Sequence, residues 1–473
     1  MESRNSATAR NFRKLMTVMS ETTNNCFPLN AEAGAFHLLP MQPTALAREA
    51  PPPVIISGDG VTIRDAQGRE FIDCQGGLWC VNAGHNRTEI KDAIVAQLNR
   101  LQYYTNFPGS VNEPSLELSR KLIEITQPEG MRKVMYGSGG SDANESAFKI
   151  ARQYWKLVGK PGKIKFISLK NGYHGLHFGT MSACGANAWK ASYEPMVPGF
   201  FQVESPHVYR NPFTEDPEAL SALCATLLER ELEYQTPDTI AAVIAEPIQG
   251  AGGVIVPPAS YWPRLREICD RHDVLLIADE VITGLGRSGS LFGVRGWAVK
   301  PDIMCLAKGL TSGYIPLSAT LMNDRIASAF DSMSPHSVFM HGYTYSGHPV
   351  ACAAGLASID LVLKEKLSEN SADVGEYFLS RLKSLQTRHR AIGDVRGKGL
   401  MIAIELVKNR ETKEPFTPFD AYPGQISEGC VASGVMIRTI VNKLIISPPL
   451  TFTRDHVDQV VNVLDQVFSA HPF

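Results

Sequence analysis

Between about residues 80 and 345, short unbroken apolar runs alternate with segments of helical periodicity, and no other feature constrains the fold as strongly. The clearest runs lie at 133–136, 164–169, 240–245, 274–278 and 303–306. Each is continuous rather than alternating in polarity, and each is followed by polar or glycine-rich sequence. That is the pattern of strands buried on both faces in a parallel sheet. Helical patterns at 142–157 and 261–272 fall between them. The expected class is α/β, with a larger domain over 80–345 built on a mostly parallel sheet. After about 346 the pattern changes. Helices at 349–363 and 374–389, strands at 400–406 and 443–447, and a last helix near 455–470 predict a smaller α+β domain. Segment 54–72 reads as two short strands joined by turns at Gly58-Asp59-Gly60 and Ala66-Gln67-Gly68. It lacks the alternation, so residues 1–79 are grouped with 346–473 in the smaller domain. A chain of 473 residues exceeds what one simple core holds, which also favours two domains.

The charge balance narrows the function classes. Lys and Arg number 46 against 48 Asp and Glu, a net charge of −2, so the basic surplus of a nucleic-acid binder is missing. No apolar run approaches the roughly 18 residues that span a bilayer. The nine cysteines, Cys26 among them, are scattered without a C-x-x-C pair, which fits a reduced, cytoplasmic compartment. Arg4, Arg10, Arg13 and Lys14 precede no apolar stretch, so the start of the chain reads as a solvated terminus rather than a secretory signal or a transit peptide.

In an open parallel sheet, ligands bind beyond the carboxyl ends of the strands, so the residues after each run are the candidates for chemistry. After 133–136 comes Gly137-Ser138-Gly139-Gly140-Ser141-Asp142 and then a helix. Glycines let backbone approach an anion, and the helix start offers free N–H groups. The run is either a phosphate cradle, using Gly140 and Ser141, or a capped turn. It is not a Walker loop, because G-K-[ST] is absent. After 164–169 comes Gly172-Tyr173-His174-Gly175, where Tyr173 either stacks on a flat ring or packs within the loop. His174 and His177 lack further ligands at zinc spacing, so no metal is expected. Glu246 follows 240–245, and Asp279 follows 274–278. A carboxylate at the end of so apolar a run needs a partner. A protonated pyridine nitrogen is one such partner, and a helix cap is the alternative. After 303–306 comes Ala307-Lys308-Gly309. A poorly hydrated lysine has a lowered pKa, as Schiff-base chemistry requires. Together these are the parts that bind pyridoxal 5′-phosphate (PLP).

The same residues resemble the class III, or ω-, aminotransferases of PLP fold type I, from about residue 36 to 449. The resemblance is carried by Gly77-Leu78-Trp79-Cys80-Val81-Asn82, Gly139-Gly140-Ser141-Asp142-Ala143, Tyr173-His174-Gly175, Ala245-Glu246-Pro247, Ile277-Ala278-Asp279-Glu280-Val281, Leu306-Ala307-Lys308-Gly309-Leu310, His341-Gly342-Tyr343-Thr344-Tyr345-Ser346-Gly347-His348-Pro349 and Arg396-Gly397-Lys398-Gly399-Leu400. It implies that Lys308 carries PLP and shuttles the proton, and that Asp279 pairs with the pyridine nitrogen. It further implies that Val281 and Tyr173 sandwich the ring and that Gly140 and Ser141 hold the phosphate. His174 and Glu246 would border the cofactor. Thr344 would reach the phosphate of the other subunit in a homodimer, which could pair into a tetramer. Leu78-Trp79 and Ile437-Arg438 resemble the amine:pyruvate branch, in which Leu78 and Trp79 wall the substrate pocket and Arg438 binds a substrate carboxylate or swings aside. The implied activity is S-selective transfer of an amino group from a primary amine or ω-amino acid to pyruvate, with 4-aminobutyrate, β-alanine, taurine or a diamine such as putrescine as alternative donors. One departure stands out: His37-Leu38-Leu39-Pro40-Met41 replaces the usual His-Pro-Phe, which puts flexible Met41 on the pocket wall.

Overall fold

The computed structural model describes residues 37–42, 45 and 52–473. Cys26 and the basic residues of the first turns of sequence lie outside them. The described residues fall into two compact units, one reaching Ser57 and including Ile63–Glu70, the other made of Gly58–Thr62 and Phe71–Phe473. Three short strands, Ile55–Asp59, Thr62–Asp65 and Glu70–Asp73, stand where the sequence predicts two. Asp65 closes the second turn by accepting from the N–H groups of Gln67 (3.0 Å) and Arg69 (2.9 Å).

In the second unit, seven strands form one sheet in the order Met131–Gly137, Ser318–Asn323, Ile303–Leu306, Leu275–Asp279, Ile240–Ala245, Lys165–Leu169, Phe200–Val203. Ser318–Asn323 runs against both of its neighbours; the other pairings are parallel. The five predicted strands are present within one or two residues, except that Met131–Gly137 starts earlier. Ser318–Asn323 and Phe200–Val203 were not foreseen. Every residue of Ile240–Ala245, Leu275–Asp279 and Ile303–Leu306 is buried, which is why their sequences read as unbroken apolar runs. One face is covered by the helix Gly140–Leu157, whose buried Ala143, Ala147, Ile150, Ala151 and Tyr154 recur at helical spacing.

A second sheet follows the order Ile392–Gly397, Ile402–Asn409, Lys443–Ile446, Arg438–Ile440, all antiparallel. The helices Pro349–Lys364, Leu367–Arg388 and Arg454–Ala470 surround its core. Leu367–Arg388 begins seven residues before the predicted 374, because the sequence 367–373 carries few apolar residues and its helicity depends on packing of Leu367 and Ser371. Val435–Met436 pairs in parallel with Ile72–Asp73.

Arg287 is fully buried between these regions of the second unit. Its Nη1 donates to the carbonyls of Leu400 (3.1 Å) and Pro448, and its Nη2 donates to Asn82 Oδ1 (3.0 Å). No carboxylate among the described residues pairs with it, and burial draws its pKa down to about 10. Asn82 in turn lies against Gly309, where a Cβ would come within 2.3 Å of Asn82 Nδ2. The buried guanidinium therefore ties three chain segments to the residue after Lys308. Arg287→Ala is expected to lower unfolding free energy by about 3 kcal/mol or more, since three acceptors lose a charged donor and a cavity opens; denaturant titration checks this.

Candidate active site

Because the predicted strands run the same way, their carboxyl ends share one edge, and the candidate residues gather there. Asp279 is the last residue of its strand and is 4% exposed. Three donors hold it: Asn144 Nδ2 (2.7 Å) and His174 Nδ1 (2.8 Å) on Oδ2, and Val281 N–H (3.1 Å) on Oδ1. A carboxylate only accepts, so His174 presents its N–H from Nδ1. Asn144 also donates to the His174 carbonyl at 2.9 Å. Asn144 was missed in the sequence; the available signal was an asparagine on the inward face of the first helical turn after a glycine run. Asp279 is thus more than a helix cap, since two side chains from distant segments hold the oxygen that its own backbone does not.

The glycine run shows both alternatives at once. Asp142 Oδ2 accepts from Ser138 N–H (2.7 Å) and Gly139 N–H (3.1 Å), which caps the turn. The N–H groups of Gly140 and Ser141 remain at the helix start, where an anion is favoured. A Cβ at Gly140 would meet Val281 Cγ1 at 2.8 Å, and one at Gly175 would meet Ser141 Oγ at 2.3 Å. The glycines therefore let the loop close on Val281 and on segment 173–176. Ser141 Oγ accepts from Leu176 N–H at 3.2 Å. A phosphate fits this cradle of free amides and a hydroxyl.

Lys308 follows Ile303–Leu306 in a left-handed conformation, φ 44°. For a lysine this is strained by about 1–3 kcal/mol, and such strain collects at working sites. Burial lowers its pKa. Its ammonium makes no hydrogen bond or ion pair among the described residues, although Asp279 and Glu246 are close enough to act on it electrostatically. A free, desolvated amine facing a buried carboxylate fits a pyridoxal group. Tyr173 is half-buried, with its ring edge-on to Trp189 at 5.1 Å and its hydroxyl pushed up to about 12 by burial. Its N–H donates to Glu246 Oε1 (2.9 Å), and Gly250 N–H donates to Oε2 (2.8 Å). Arg438 is half-buried on the strand Arg438–Ile440, and burial lowers its pKa. No carboxylate among the described residues pairs with it, so within that set it is not held in a structural salt bridge.

Leu78 and Trp79 lie in a left-handed run that begins at Gly76 and Gly77, with φ of 78° and 68°. Gly76 is required there, because a Cβ would stand 2.4 Å from the Ser447 carbonyl. Leu78 is exposed, whereas Trp79 is 3% exposed and packs with Ile248, Val254, Ile282, Met401, Ala403 and Ile445. Thr344 is exposed, and its carbonyl accepts from Tyr103 OH at 2.6 Å. Met41, exposed and at φ 56°, belongs to the first unit. His177 turns toward Asp142 (3.8 Å), and among the described residues no group of three His, Cys, Asp or Glu is placed to hold a metal. No helix of the described residues is long and apolar enough to cross a membrane.

Comparison with known proteins agrees with this geometry. The class-III aminotransferase profile matches residues 45–468. An amine transaminase from an uncultivated Pseudomonas species, solved with PLP bound, is similar at a TM-score of 0.90 and 49% identity, over 92% of this chain and 98% of that one. The putrescine–pyruvate aminotransferase of Pseudomonas aeruginosa is 38% identical over 92% of this chain and 95% of its own. The diaminobutyrate–2-oxoglutarate transaminase of Halomonas elongata is 39% identical over 87% and 89%.

Glu246 gives this edge a pH signature. Burial, and then Asp279, raises its pKa from 4.5 to about 7. Between those values the folded chain keeps a proton that the unfolded chain has lost, so this group's contribution to stability falls as pH rises. Glu246→Gln removes that loss. The variant is expected to gain on the wild type between pH 4.5 and 7 by up to roughly 1.4 kcal/mol per unit, as measured by denaturant titration at several pH values.

Proposed function

The chain belongs to the class-III aminotransferases, enzymes of PLP fold type I that use pyridoxal 5′-phosphate, and from that premise we propose that it transfers an amino group from a primary amine or ω-amino acid to pyruvate. The observation that carries the acceptor is Arg438. An unpaired, half-buried guanidinium beside Tyr173 and Lys308 is a ready partner for a small carboxylate, which it can bind through two parallel hydrogen bonds. With an uncharged donor present, the long side chain can rotate away. The relatives use pyruvate or 2-oxoglutarate by name; Arg438 satisfies one carboxylate, which favours pyruvate.

The residues divide the work. When bound, the cofactor supplies a ring that withdraws electrons from the donor carbon. Gly140 and Ser141 would hold its phosphate, and Val281 and Tyr173 would flank the ring. Asp279, fixed by Asn144 and His174, would keep a proton on the pyridine nitrogen. Lys308 Nζ, which burial favours in its neutral, proton-free form, would take the proton from the donor carbon and return it as the reaction proceeds. Glu246 fixes the Tyr173 backbone and borders the substrate side. Trp79 is the rigid back of the pocket and exposed Leu78 its rim. The donors 4-aminobutyrate, β-alanine, taurine and a diamine fit the same machinery, and a panel of amines scored by alanine formation separates them. The reading includes the larger domain over 80–345, the smaller one from 1–79 and 346–473, and a cytoplasmic location. It also includes a homodimer, able to pair into a tetramer, in which Thr344 serves the other subunit's phosphate site. The exposed apolar side chains Tyr104, Phe107, Val111, Val338, Met340 and Tyr345 support such an interface.

Lys308→Ala is expected to abolish turnover while leaving the fold intact, as followed by alanine formation and circular dichroism. Arg438→Ala is expected to raise the pyruvate KM by roughly thirty-fold to several thousand-fold and to spare the half-reaction with a phenylalkylamine. Single-turnover kinetics of the two halves decide this; equal loss in both would return Arg438 to a structural role.

A further inference from the structure

A cavity of about 290 Å³ opens elsewhere in the second unit, and none of Lys308, Asp279, Tyr173, Trp79 or Arg438 lines it. Its polar wall carries hydrogen-bond donors that the protein does not use. His207 is 6% exposed. Its Nδ1 accepts from Arg210 N–H at 3.2 Å, which fixes the proton of the neutral ring on Nε2. Burial and then Arg396 keep the ring neutral, with a pKa of about 3. Among the described residues, buried Nε2–H has no acceptor, and Tyr209 OH and Arg210 Nη2 are likewise buried without partners. Within the same set Lys413 makes no hydrogen bond through its ammonium; it lies 5.2 Å from the centre of the Tyr209 ring, which also has the Arg210 guanidinium at 5.1 Å.

The two carboxylates beside the buried donors are already engaged. Glu405 pairs with Arg210 Nε (2.6 Å) and Arg396 Nη1 (2.7 Å), and despite burial the cations hold it near pKa 2. Asp394 is paired with Arg396 at 2.7 Å, and Glu215 stands on the exposed rim. Lys443 adds a further positive charge behind Gly253. The wall therefore offers buried donors and positive charge, with Glu215 on the rim as its one unengaged carboxylate among the described residues, opposite an apolar side made by Val208, Ile255 and Val256. Unsatisfied buried donors are costly, so the chemistry that completes them is an acceptor-rich anion.

We propose that this cavity is a binding site, separate from the catalytic pocket, for a small molecule with an oxyanion head, carboxylate or phosphate, and a short apolar body. His207, Tyr209 and Lys413 donate to the head, and Ile255 and Val256 pack against the body. The site touches the catalytic wall indirectly. Arg396 donates to the carbonyls of Gly253 and Val254, and Val254 packs in the same small core as Trp79.

The test is calorimetric titration of the PLP-loaded Arg438→Ala enzyme with inorganic phosphate and, separately, with propionate. In that background a carboxylate is not drawn to the guanidinium assigned to the acceptor. Saturable binding of at least one probe is expected, and the preferred probe identifies the head group. Tyr209→Phe and Lys413→Met, each added singly, are expected to weaken it roughly ten- to a hundred-fold. Neither change touches a residue of the catalytic edge, so both are expected to keep wild-type kcat for the amine half-reaction when made in the native background. Absence of saturable binding by both probes, or binding unchanged by both substitutions, overturns the proposal.

Discussion

A carboxylate at the end of a buried apolar strand must be given donors, and that requirement at Asp279 organises the catalytic edge. Asn144, His174 and the Val281 N–H supply them from three segments. Each donor fixes something else. Asn144 sets the rotation of the helix Gly140–Leu157, and with it the free amides at the helix start. His174 sets the position of Tyr173 beside it. Val281 closes on Gly140, where no side chain fits. Buried charge is expensive when unpaired, so the donors and the loops that carry them form one unit rather than independent features.

Lys308 stands opposite that network with the reverse property. Its amine has no partner among the described residues, and its backbone is held in a strained conformation by its surroundings. Arg287 supplies part of that restraint through Asn82, which rests on Gly309. A fully buried guanidinium bonded to carbonyls and an amide is an unusual way to stabilise a junction, since no carboxylate among the described residues pairs with it. It does bring segments 82, 400 and 448 to one point with fixed geometry. The reactive lysine can remain free because the framework around it is rigid.

Two arginines show opposite uses of the same side chain. Arg396 is spent on Asp394, Glu405 and the carbonyls of Gly253 and Val254. Arg438, on the strand at the opposite end of the same sheet, is spent on nothing among the described residues. A guanidinium kept half-buried and unpaired forfeits hydration without compensation, so it is poised for an anion that arrives and leaves. This is the requirement of a pocket that takes a carboxylate in one half-reaction and an apolar group in the other.

The sequence by itself determined the α/β class, five of the seven strands of the main sheet and the edge on which the chemistry lies. The reason is that strands buried on both faces are largely apolar, most completely in Ile240–Ala245, Leu275–Asp279 and Ile303–Leu306, and parallel order puts their ends together. Lys308, Asp279, Glu246, Tyr173 and the glycine run were legible for the same reason, as the first polar or flexible residues after such runs. Only the tertiary structure decided the remainder. Ser318–Asn323 runs antiparallel and Phe200–Val203 forms an edge, and neither has a local signal that distinguishes it. Asn144 became a partner of Asp279 because helix rotation aims it across a separation of 135 residues. Trp79 proved to be buried in a small core, which depends on Ile445 and Met401 arriving from the far end of the chain. The donors of the second cavity were equally invisible, since His207, Tyr209 and Lys413 acquire meaning only when segments 200 residues apart meet around Glu405 and leave those donors without acceptors.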